Sequence, residues 1–306
     1  MGTKRNGLLE IYRLLFCFWV MYHHNFFFIE KGSTFTVAHL AVDFFFILSG
    51  MFLRRSMKRR SEEKTIVGMT GLVGDRIKPI LFPLCFVAAF NMICIALFVR
   101  EDVLKTMFNV FCYWWYILYL AIAVALFYLL YRAVKNEKIF AAILALICIA
   151  MCTLHYFTEE HDFFISELTF VYRAFACLSF GMLISYLPTL KKKAVAVAII
   201  IVAILIGVLL YLAWGDKNYL ICLTIVLLFA PLVYFTSTIE VGGKVFDLIG
   251  KLSTRMYIYM AFVSMLRVLG LTNHRVLFVV DLALAVLSVT LDEYRRKYKK
   301  LKDEKK

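Results

Sequence analysis

Apolar runs of about twenty residues recur along the whole chain, and that is the length an α-helix needs to cross the hydrocarbon of a bilayer. Inside hydrocarbon every backbone N–H and C=O must be satisfied within its own segment, so repeated runs of this kind leave a helical bundle as the available fold. The composition agrees: 63% of the 306 residues are hydrophobic, 16% are aromatic and only four are proline. The expected fold class is therefore all-α, a polytopic integral membrane protein of about ten transmembrane helices. Spans are expected at roughly 8–29, 36–54, 79–99, 111–132, 138–155, 168–188, 193–213, 218–236, 253–270 and 275–291. The basic start followed by an apolar run could suggest a removable signal peptide. Glu10 and Arg13 within the run, and the absence of a small-residue cleavage site after it, favour a retained helix.

Charge sets the expected orientation. Of the 35 Lys and Arg residues, 27 fall on the side that holds the N-terminus, the segment 54–78, the loops near 135, 192 and 245–255, and the tail. Lys31, Arg100, Lys105, Lys217 and Arg275 are the five opposite, while Arg13, Arg173 and Arg267 lie within spans. The positive-inside rule makes the richer side cytoplasmic, with both termini there, as expected for the cytoplasmic membrane. The net charge of +14 then reflects topology and attraction to anionic lipid, and calls for no nucleic-acid partner. A single transmembrane domain over 1–306 is expected, with a basic cytoplasmic loop at 54–78 and a basic tail at 292–306. The eight cysteines lie in or beside apolar runs without CxxC spacing, so no metal site and no disulfide framework is expected.

Ionisable groups inside hydrocarbon are costly and mark functional sites. Arg13, His23, His24 and Asp43 in the first two spans, and Arg173 in the sixth, are such groups. Arg13 and His24 are eleven residues apart, which at about 100° per residue returns to nearly the same helical face, about 16.5 Å along the axis. His23 points about 80° away, which makes His24 the better partner. With the first helix running outward, His24, Asp43 and Arg173 are all expected in the outer third of the membrane. Residues of this kind could serve general-base catalysis, with His24 as the base, Asp43 fixing its tautomer, and Arg173 holding an oxyanion or the acceptor. They could equally line the path of a non-enzymatic transporter or flippase for a glycan or lipid-linked substrate.

Three stretches carry a family resemblance: Arg13-x10-His24, AVDFFFILSGMFL (Ala41 to Leu53) and DRIKPILFP (Asp75 to Pro83). Together they resemble the membrane acyltransferase 3 family, bacterial enzymes that O-acylate surface polysaccharides. YWWYILYL, YRAFACLSFGMLISYL and IGKLSTRMYIYM resemble later landmarks of that family. The resemblance implies transfer of an acyl group, usually acetyl, from cytoplasmic acyl-CoA to a hydroxyl of a lipid-linked or exported glycan. No permanently bound cofactor is implied, and acyl-CoA serves as the donor substrate. It implies His24 as the essential histidine and Arg13 as its motif partner. Arg76 falls on the second arginine of the family's Arg-x-x-Arg pair, while the first position is Val73, so donor contact would rest on Arg76 and Lys78. A catalytically silent relative that binds glycan or protein partners is a further possibility.

Overall fold

A computed structural model describes residues 6–27, 36–100, 102–111, 114–161, 167–187, 193–214, 219–239 and 241–303. Lys4, Arg5, Lys31, Lys191, Lys192, Lys217 and the end of the tail from 304, all counted in the charge balance, lie outside the described residues. Among the described residues the regular structure is entirely helical. In chain order the helices are α1 (Gly7–Tyr22), a π-helical turn (His23–Phe27), α2 (Thr36–Arg59), α3 (Thr65–Phe98), α4 (Val103–Phe111), α5 (Trp115–Ala133), α6 (Glu137–His161), α7 (Glu167–Ile184), α8 (Lys193–Trp214), α9 (Tyr219–Ser237), α10 (Lys244–Val268) and α11 (His274–Asp303).

Three of these helices are each long and apolar enough to cross a membrane: α3, α5 and the Glu137–Thr158 part of α6. Shorter apolar stretches, Leu168–Ile184, Ala194–Leu210 and Thr224–Ser237, lie in α7, α8 and α9. Apolar side chains also face outward, Leu146 on α6 being 68% exposed and Leu97 on α3 67%. Outward apolar surface on this scale belongs against lipid.

Two segments differ from the sequence reading. The stretch 54–78 is largely helical: α2 continues to Arg59 and α3 begins at Thr65, ahead of the expected span start near 79. Pro79 and Pro83 sit inside α3. The short turn between the helices is closed by Arg60, which pairs with Glu63 at 2.9 Å and Asp75 at 2.8 Å, while the Tyr128 hydroxyl donates to the Arg60 carbonyl at 2.8 Å. The short helix α4 is an addition between the expected third and fourth spans.

The chain divides into two compact units that interleave in sequence. The first holds 1–33, 79–114 and 241–306; the second holds 34–78 and 115–240. In the first unit α10 is the central element, packing against α1, α4 and α11. An apolar cluster of Cys94, Ile95, Val110 and Met265, flanked by Phe90 and Phe111, ties α3 and α4 to α10. Lys251 with Glu293, and Arg255 with Asp292, join α10 to α11 by ion pairs.

In the second unit α7 packs against α2, α5 and α6, and α2 also meets α9. The α2–α7 contact rests on a reciprocal pair of glycines. A Cβ on Gly50 would collide with the Leu178 carbonyl, and one on Gly181 with the Ile47 carbonyl. Small residues let helices in lipid approach backbone to backbone, where packing rather than hydrophobic burial holds them together. Gly181→Val should therefore push α7 away from α2 and destabilise the second unit by about 1–3 kcal/mol. Thermal unfolding in detergent measures this, and an unchanged midpoint would mean that the contact yields without cost.

Candidate functional site

In the first unit, α1 begins on a side-chain cap: the Asn6 carboxamide oxygen accepts from the Leu8 and Leu9 N–H groups at 3.1 and 3.3 Å, covering donors that a helix start leaves open. One turn on, Arg13 pairs with the buried Glu10 at 3.0 Å and donates to the Thr254 hydroxyl of α10 at 3.3 Å. Arg13 is thus held by an acid of its own helix and by a neighbouring helix. The Cys17 thiol donates to the Ser253 carbonyl at 2.9 Å, so α1 stays in register with α10 through its middle.

Beyond Tyr22 the α-helix gives way to the π-helical turn His23–Phe27, which carries His24. A π-helical turn widens the spacing of donors and acceptors, and such turns recur at functional sites. Here side chains take up one carbonyl of the turn and one just before it. Asn25, 2% exposed, donates its amide to Met21 O at 2.9 Å, and Arg267 of α10 donates Nη2 to the His24 carbonyl at 3.1 Å. The His23 and His24 rings meet edge to face, 5.4 Å between centroids and 80° between planes.

Both residues of the Arg13-x10-His24 motif are therefore held by the same helix. Thr254 and Arg267 lie thirteen residues apart on α10, about 19.5 Å along its axis, and hold α1 at Arg13 and at the backbone of His24. Thr254 lies inside the IGKLSTRMYIYM stretch that carried part of the resemblance.

The second unit contains the other charged locus. Asp43 of α2 and Arg173 of α7 form a buried ion pair: Oδ1 accepts from Nε at 3.0 Å and from Nη2 at 2.9 Å, with side chains 9% and 5% exposed. The parallel run of α2 and α7 that the two glycines permit brings these groups level. Trp115 adds an aromatic wall, stacked on Phe170 at 4.3 Å, with the Arg173 guanidinium 6.0 Å from its ring centre. The sequence placed Asp43 and Arg173 at one depth but gave them separate tasks. Within their unit they are each other's partner.

Toward the other end of the second unit the basic residues divide into two kinds. Arg54 pairs with Glu137 at 3.1 Å and lies over the Tyr186 ring at 3.5 Å, and Tyr186 donates its hydroxyl to Glu137 at 2.7 Å. Arg76 turns back on its own helix, donating to Leu72 O at 2.8 Å. Lys78 is exposed, as are Arg55, Lys58, Arg59 and Lys64.

The sequence reading did not single out Asp281 on α11, which is fully buried with no hydrogen-bond partner for either carboxylate oxygen among the described residues. A lone acid in the apolar run FVVDLALAVL was the available signal. No group of three or more His, Cys, Asp or Glu among the described residues could hold a metal ion.

No curated protein and no solved structure matches the chain. A family profile described as an acyltransferase domain, the acyltransferase 3 family, matches residues 6–291, from the cap of α1 into α11. With nearly its whole length inside that profile and its apolar helices fit for lipid, this chain belongs to the acyltransferase 3 family and is a membrane acyltransferase.

Proposed function

We propose that the enzyme is an O-acyltransferase of the cytoplasmic membrane, moving an acyl group, most simply acetyl, from cytoplasmic acyl-CoA to a hydroxyl of a cell-envelope or exported glycan. His24 is the general base. As the acceptor oxygen attacks the thioester carbonyl, His24 takes the hydroxyl proton; the tetrahedral intermediate collapses, the C–S bond breaks, and the CoA thiolate leaves and picks up a proton. A positioned histidine contributes about 10²–10⁴-fold to such a step. The observation that carries this reading is the fixing of both Arg13 and the His24 turn on α10, which holds the family's paired motif as one rigid piece. Reactive groups do their work when their own positions are locked by neighbours.

The excess of Lys and Arg puts both termini and the 54–78 segment in the cytoplasm, with ten crossings of the chain. Arg13 then stands on the donor side, and the thioester end of acyl-CoA reaches along α1 to His24. Exposed Lys78 and its neighbour Arg76 are the groups that meet the polyphosphorylated end of CoA, where a positive charge is worth most.

Changing Arg76 and Lys78 together to Ala should raise the KM for acetyl-CoA about tenfold and leave kcat nearly untouched, because the contact is the same in ground and transition states. The measurement is acetyl transfer in inverted membrane vesicles over a range of acetyl-CoA concentrations. An unchanged KM would assign these two residues to membrane orientation alone.

A further inference from the structure

We propose that Arg267 is a positioning residue for His24, acting through the backbone of the π-helical turn. The inference rests on the reading of His24 as the base. Arg267 closes α10 in its last turn, and its Nη2 donates to the carbonyl of His24 itself at 3.1 Å. Its Nε is buried without a hydrogen-bond partner among the described residues. A guanidinium whose only role is to complement the negative end of the α10 dipole would gain by turning all its donors to water or headgroups. Arg267 instead gives up solvation on one side while another donor grips a single backbone carbonyl. That carbonyl belongs to a turn whose donors and acceptors are out of α register.

The grip fixes the direction of the imidazole. Asn25 holds Met21 O from within the turn and Arg267 holds His24 O from α10, one anchor on each side of the His24 Cα. Two carbonyls held on either side of a residue leave its Cα–Cβ vector little freedom, and the π-helical turn also packs against α11. Without Arg267 the turn can relax toward a regular helix, which rotates His24 away from its working direction while leaving α1 and α10 otherwise packed.

The test compares Arg267→Met and Arg267→Lys with wild type and His24→Ala in inverted vesicles carrying the host's own glycan, with labelled acetyl-CoA as the probe. Rates are normalised to folded protein, and thermal unfolding is recorded for each variant. Arg267→Met should lose about 10- to 100-fold in kcat with an unchanged KM for acetyl-CoA, the size of effect that a misplacement near 1 Å produces. Arg267→Lys should recover part of that loss, since an ammonium can still reach toward the carbonyl without the planar fork. The inference is overturned if Arg267→Met keeps a kcat within twofold of wild type, if it raises KM instead, or if its loss is matched by a fall in unfolding temperature. If His24→Ala itself keeps its activity, the assignment of the base fails. If His24→Ala is inactive while Arg267→Met is fully active, only the positioning role fails.

Discussion

His24→Ala is expected to remove acyl transfer to the glycan, by about 10²–10⁴-fold, while protein level and membrane insertion stay as in wild type. The loss should fall on kcat, because a base that acts only as the proton moves contributes to the transition state and not to donor binding. His23→Ala is the control. His23 is buried and its ring stands edge-on to that of His24, so its removal loosens the turn, and a smaller loss is expected from it. If His23→Ala proves the more damaging of the two, the assignment of the base to His24 is wrong.

Asp43→Ala has the second large effect, and it is first of all an effect on stability. Arg173 would be left in the interior of its unit without its counter-charge, and stranding one member of a buried pair costs about 3–5 kcal/mol. Low protein levels and a lower unfolding temperature in detergent are therefore expected of Asp43→Ala. Changing both members, Asp43→Ala with Arg173→Met, should restore much of that stability, because no uncompensated charge remains. Stability unchanged in the single variant would show that water or lipid headgroups reach Arg173, and the pair would then not be the support of α2 against α7.

Much of this architecture was legible in the sequence, because the apolar runs that specify helices in lipid are long and their ends are marked by charge. Each expected span overlaps at least one described helix. The boundaries were less legible. A span was expected to start near 79, yet a helix can pass through a proline, and α3 begins at Thr65 and contains both Pro79 and Pro83. Of the candidate groups, Arg13 and His24 in the first unit and Asp43 and Arg173 in the second were visible because charged and imidazole groups are rare in hydrocarbon. Their partners were less visible. The pairs Asp43–Arg173 and Arg13–Thr254 join residues far apart in sequence, and no periodicity along one helix reveals a contact with another.

The π-helical turn was also hidden, since HHNFF reads as a plain continuation of α1, and the donors that take up Met21 O and His24 O belong to side chains whose reach no sequence pattern shows. Gly50 and Gly181 passed as ordinary members of apolar runs, although each one's missing Cβ is what lets α2 and α7 touch. Arg267 was counted as a charge within a span and given no task. Family membership removes the non-enzymatic transporter from the readings that the intramembrane charges allowed.

The most direct measurement is mass spectrometry of the envelope glycans from host cells with the gene intact, deleted, and restored as wild type or as His24→Ala. The expected result is an acyl ester on a glycan hydroxyl that disappears on deletion, returns with the wild-type gene and fails to return with His24→Ala. Glycans identical in all four strains would contradict the proposal that this acyltransferase modifies an envelope glycan.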